Sequence, residues 1–141
     1  MQTLEKYLAQ LILAQLKQKP VPDVPEGITA QAIIEIATKQ HLKYLLLGAL
    51  IRTKNIPADT QEQIRELLMG SIIKTGVQVQ EQKSLEQCFE ERGIVNQPMK
   101  GAVLRFLYPS PEMREMSDLD ILFAEQNMEE AEQILKERGY T

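Results

Sequence analysis

Two aspartates one residue apart, Asp118 and Asp120, open an apolar run in "MREMSDLDILF" (residues 113–123). Side chains on a strand alternate faces, so this pair shares one side while Leu119, Ile121 and Phe123 take the other. At a rise of about 3.3 Å per residue their Cβ atoms stand roughly 7 Å apart. Two carboxylates at that separation repel unless something positive lies between them. A hard divalent cation answers that need, and Mg²⁺ takes carboxylate oxygens while keeping waters and phosphate oxygens as its other ligands. The pattern suits Mg²⁺ (or Mn²⁺) carrying a nucleoside triphosphate. The triplet alone also fits a solvated strand end.

Three neighbours add to the pair. "MKGA" (residues 99–102) lies where an extended segment turns into a helix. Gly101 there permits close backbone approach, and the free N–H groups that open a helix can hold a phosphate. A tight turn without a ligand is the plain alternative. Lys100 is a candidate phosphate contact or a solvated charge. Arg114 precedes Asp118 by four residues and is a candidate for gripping a phosphate or pairing with that aspartate.

The elements that must position these residues follow from the pattern. Leu4, Tyr7, Leu8, Leu11, Ile12 and Leu16 recur at helical spacing. "KPVPDVPEG" (residues 19–27) breaks that helix with three prolines. Thr29 is placed to cap a second helix bearing Ile33, Ile34 and Ala37. A break near Gln40 and His41 precedes "HLKYLLLGAL" (residues 41–50), apolar nearly all round and expected in the core. Thr60 with Gln63 makes a capping-box pattern for a long helix. Its stripe is Ile64, Leu67, Leu68, Ile72, Thr75, Val79, Leu85 and Phe89, and Gly93 is its stop. Gly70 and Gly76 are candidate bends.

Beyond Gly93 the pattern changes. "IVNQPM" (residues 94–99) reads as a short strand kept to an edge by Pro98. "KGAVLRFLY" (residues 100–108) returns to helical spacing through Val103, Leu104, Leu107 and Tyr108. "DLDILF" (residues 118–123) is a second strand. Asn127 with Glu130 makes another capping box before a helix that turns Ala131, Ile134 and Leu135 inward and stops at Gly139. Tyr140 and Thr141 read as the entry to a further strand. The fold class is α+β: a helical region over residues 1–76, then a β-α-β-α unit over residues 77–141.

At this point the residues carry a resemblance. "KGAVLRFLYPSPEMREMSDLDILF", then a helix ending in "RGY", resembles an uncharacterised bacterial nucleotidyltransferase family of the DNA polymerase β-like superfamily. "HLKYLLLGAL", "NIP" and "ERGI" are similar to its usual lead-in. The resemblance implies a nucleotidyltransferase-like fold. It also implies Asp118 and Asp120 as metal ligands, and Lys100, Gly101, Ala102 and Arg114 around the nucleotide. Ala102 stands where the superfamily has a serine, so one hydroxyl contact to phosphate is missing. The superfamily's third carboxylate sits on a later strand, past Thr141, so the expected site is incomplete within these residues. The implied reaction is transfer of a nucleotidyl group from a nucleoside triphosphate to an acceptor hydroxyl. The rival expectation is a helical binding or regulatory module that keeps the fold without catalysis.

Bulk properties restrict the partners. The chain has 141 residues, a formal charge of −4 and one cysteine, Cys88. An acidic protein draws no nucleic acid by its overall field, and a lone cysteine forms no internal disulfide. No apolar run approaches membrane-spanning length, which together with Cys88 gives a cytoplasmic expectation. His41, the single histidine, is expected to be packed or capping. Strand edges left open by a short sheet suggest a possible homodimer.

Overall fold

The computed structural model describes residues 3–140. Helices α1 (Leu4–Lys17), α2 (Ala30–Lys39) and α3 (Lys43–Leu50) lead into α4 (Ala58–Glu91), which spans 34 residues without a break. Strand β1 (Asn96–Met99), the short α5 (Gly101–Leu104), strand β2 (Asp120–Phe123) and α6 (Met128–Glu137) complete the chain, with 3₁₀ turns at Arg105–Leu107, Pro111–Met113 and Glu125–Asn127. This is an α+β protein.

Two buried clusters share α4. The first joins Tyr7, Leu11, Ile33, Ala37, Leu46, Leu47, Leu50 and Ile64; α2 and α3 pack on the N-terminal part of α4, and α1 packs on α3. The second joins Leu85, Phe89, Ile94, Ala131 and Ile134, with Leu119, Ile121 and Phe123 packed against it. The ring of Phe123 meets that of Phe89 edge-on at 5.1 Å. The second strand is shorter than the residues 118–123 expected, since Asp118 and Leu119 precede it, but the inward side is as expected: Leu119, Ile121 and Phe123 face the second cluster, while Leu122 is 59% exposed. Strands β1 and β2 pair antiparallel from Asn96–Phe123 to Met99–Asp120, in a sheet of two strands.

Several helix ends follow the sequence. Thr3 and Thr29 accept from the backbone N–H of Lys6 and Ala32. Gly93 and Gly139 take positive φ past the ends of α4 and α6. The α2–α3 break falls where expected, with His41 at φ 57°.

Other ends differ. Thr60 does not cap α4; the helix starts at Ala58 behind Pro57, whose fixed φ already suits a helix start. Asn127 does not close a capping box; its Oδ1 accepts from Val95 N–H, which ties α6 to the start of β1. Gly70 and Gly76 lie within an unbroken α4. Ile72 faces solvent rather than the core. The helix expected over residues 100–108 is α only to Leu104 and then 3₁₀, and its burial is inverted. Gly101, Ala102 and Arg105 are buried, while Val103, Leu104, Phe106 and Leu107 are exposed. His41 is not packed: its side chain is largely in solvent, with Nδ1 3.6 Å from Glu115. Tyr140 adds no strand, and Thr141 lies outside the described residues.

Candidate functional site

β1 ends at Met99, and the chain must reverse into α5 within one residue. Lys100 makes that turn at φ 54°, ψ −126°. That region favours glycine, and a lysine held there carries strain of order 1–3 kcal/mol. The glycine expected to supply the turn, Gly101, has another reason to lack a side chain. A Cβ there would lie 3.2 Å from Met116 Sδ and 3.4 Å from Arg114 Nε. The segment before β2 thus packs directly on the start of α5.

The turn aims Lys100 across the sheet. Its Nζ lies 3.4 Å from Asp120 Oδ2, one residue beyond the Met99–Asp120 pair that ends the ladder. Both side chains are about half exposed or more, so solvent reaches the pair. Asp118 precedes β2 and is exposed. It lines a cavity of about 230 Å³ together with Gln78, Glu81, Met116 and Tyr140. Asp120 is not part of that lining. The structure therefore brings together Lys100 with Asp120, and Gly101 with Arg114. Asp118 opens onto a neighbouring hollow against α4. Among the described residues no group of three or more His, Cys, Asp or Glu side chains gathers as a metal cluster.

Arg114 is not on Asp118. Its Nε is buried with no hydrogen-bond partner among the described residues. Its backbone carbonyl accepts from Arg105 Nη2 at 3.4 Å. Arg105 has no exposed surface. Burial lowers its pKa, Glu112 counters that, and the nearby Arg114 charge lowers it further. Arg105 Nη2 also donates to Gln78 Oε1 at 3.0 Å.

Sequence reasoning missed this buried arginine because its neighbours Val103, Leu104 and Leu107 offered a more obvious inward face. It also missed the far wall of the hollow. There Tyr140 donates to Glu81 Oε1 at 2.9 Å and Arg138 to the same oxygen at 3.2 Å. The Tyr140 hydrogen bond, aided by Arg138, lowers the pKa of Glu81. Burial, then the bond to Glu81, raises that of Tyr140.

A family model described as an uncharacterised nucleotidyltransferase matches residues 26–141. The chain belongs to that family. The match covers α2 onward, so it takes in the Lys100 turn, both aspartates and the long helix behind them. No curated protein and no solved structure matches the chain. Membership supports a general nucleotidyltransferase-like function and a nucleotide substrate. No helix among the described residues is long and apolar enough to cross a membrane.

Proposed function

We propose that this nucleotidyltransferase-family chain binds a nucleoside triphosphate with Mg²⁺ (or Mn²⁺) beside the Lys100 turn and takes part in transferring its nucleotidyl group to an acceptor hydroxyl. The observation that carries the reading is the strained Lys100 holding its ammonium at Asp120. Strain at one residue persists when the surroundings over-determine it, and such residues cluster at ligand sites.

The donor set fits a hard cation. Asp120 offers carboxylate oxygens beside Lys100 and Asp118 offers them from the adjoining hollow; both are reached by water, and phosphate oxygens and waters would complete the shell. The metal would neutralise phosphate charge. Lys100 serves the same end from the protein side: an arriving triphosphate offers its Nζ a second anion. The backbone N–H of Gly101 and Ala102 lies at the same turn, while the N–H groups of Val103 and Leu104 are already spent on Lys100 O. Arg114 supports the turn by packing on Gly101. The test is binding of a Mn²⁺–nucleoside triphosphate, expected in the wild type and weakened at least tenfold in Lys100→Ala. Equal binding in both would remove Lys100 from the site.

A second reading has one observation behind it. Lys100 Nζ already neutralises Asp120 without a metal, as a non-catalytic binding module descended from the same fold would do. Such a module would show no metal dependence in its nucleotide binding.

A homodimer belongs to the proposal as well. Met69, Ile72, Ile73 and Val77 are exposed along the outward side of α4, and contiguous apolar surface of that kind marks association. The reducing interior of a cell suits the lone Cys88.

A further inference from the structure

The buried side of α4 carries two glutamines one turn apart, Gln78 and Gln82. Residues four apart on a helix project the same way. Gln78 Nε2 donates to Met116 O at 2.8 Å, and Gln82 Nε2 donates to Ala102 O at 3.2 Å. These carbonyls belong to the two segments that build the candidate site, the approach to Asp118 and the Lys100 turn. The other end of Gln78 is used too: its Oε1 accepts from Arg105, which also donates to Arg114 O. Gln82 is 6% exposed, and its Nε2 is shared with Glu86 Oε1 at 3.0 Å. A core helix contact could have been made with leucines at far lower desolvation cost.

We infer that Gln78 and Gln82 are positioning residues, a clamp by which α4 sets the aspartate segment and the Lys100 turn at a fixed separation. Each amide N–H donates to one segment, so removing one donor loosens one segment while Gln78 Oε1 can stay on Arg105. Met116 and Gly101 touch where the two segments meet, so releasing either grip changes the distance from Lys100 to the aspartates. α4 also carries the first buried cluster at Ile64, and the clamp therefore links the helical region to the site through one rigid element.

The test uses two variants of the full chain. Gln78→Glu keeps an acceptor for buried Arg105 but cannot donate to Met116 O. Gln82→Met keeps the side-chain volume and removes the donor to Ala102 O. Amide hydrogen exchange in the ligand-free protein reads the two segments separately. Met113 and Arg114 N–H bond back to Ser110 and Pro111, and Val103 and Leu104 N–H bond back to Lys100. The clamp predicts about tenfold faster exchange at Met113 and Arg114 in Gln78→Glu, with Val103 and Leu104 unchanged, and the reverse in Gln82→Met. Unchanged exchange at both pairs, or equal acceleration of both pairs in each variant, would overturn it. A second reading of the same variants rests on the proposed function: Mn²⁺–nucleoside triphosphate affinity should fall several-fold at an unchanged thermal midpoint. Loss of affinity that tracks a falling midpoint would make the glutamines merely structural. A wild type that binds no metal nucleotide would defeat the proposed function and leave the exchange result to decide the clamp.

Discussion

Lys100 Nζ stands 3.4 Å from Asp120 Oδ2, and the lysine that makes this contact holds φ 54°. The pair is solvent-accessible, so it contributes little to stability, about 0–1 kcal/mol. The strain works against folding by at least as much. A contact worth so little in the folded protein, held at that cost, is the reason a nucleotide is proposed at this turn.

That comparison gives the first prediction. Lys100→Gly relieves the backbone and should raise stability by about 1 kcal/mol after the entropy glycine adds to the unfolded chain. Lys100→Ala keeps the strain and should leave stability within about 0.5 kcal/mol. Both variants lose the ammonium and should bind triphosphate less well. Thermal melts beside calorimetry would reveal the split; a drop in stability for the glycine variant would show that the turn is not strained.

Gly101 supplies the second. A methyl group there presses on Met116 Sδ and Arg114 Nε. Methionine is adaptable, so Gly101→Ala should cost only about 1 kcal/mol, the low end for overpacking. The displaced segment should still weaken nucleotide binding. Chemical denaturation gives the cost, and a loss above about 3 kcal/mol would mean that the segment before β2 cannot give way.

The third concerns Tyr7, buried in the first cluster with its hydroxyl donating to Pro22 O at 3.0 Å. Burial, aided by the Asp23 charge, pushes its pKa to about 12 from 10.0. The folded state holds this proton more tightly than the unfolded one. The stabilisation is therefore complete below pH 10 and is lost as pH rises toward about 12, up to roughly 2–3 kcal/mol in all. Tyr7→Phe should flatten that alkaline limb in denaturation followed from pH 9 to 12. An unchanged limb would assign the loss to other groups.

How far the sequence led varies by segment, for physical reasons. Period and capping located α1, α2 and the α2–α3 break because local patterns and tertiary packing agree there. Strand alternation placed Leu119, Ile121 and Phe123 inward because a half-buried strand has only two faces. The segment 100–108 misled because its apolar residues face out while Arg105 lies in. A buried arginine is held by partners distant in sequence, Gln78 and the carbonyl of Arg114, and no local spacing signals them. Lys100 was legible as a charge near a turn but not as the strained residue. The neighbouring glycine looked like the obvious bearer of positive φ, and its role is close packing instead.

A fourth prediction addresses assembly. Ile73 is 60% exposed amid Met69 and Val77 on α4. The chain should sediment as a dimer at micromolar concentration, the commonest closed oligomer, and Ile73→Glu should return it to a monomer without lowering its melting temperature. A wild type that stays monomeric across a wide dilution series would end the dimer.

In the function proposed above, Asp118 and Asp120 hold the metal of a bound nucleoside triphosphate. The most direct measurement is titration of Mn²⁺ into the protein with a non-hydrolysable nucleoside triphosphate, followed by the paramagnetic signal of free Mn²⁺. The wild type should bind one metal nucleotide per chain, with at least tenfold weaker binding in Asp118→Asn and in Asp120→Asn. The double variant should bind none above the nucleotide's own affinity for the ion. Unchanged binding in the double variant would place the metal elsewhere and remove both aspartates from the site.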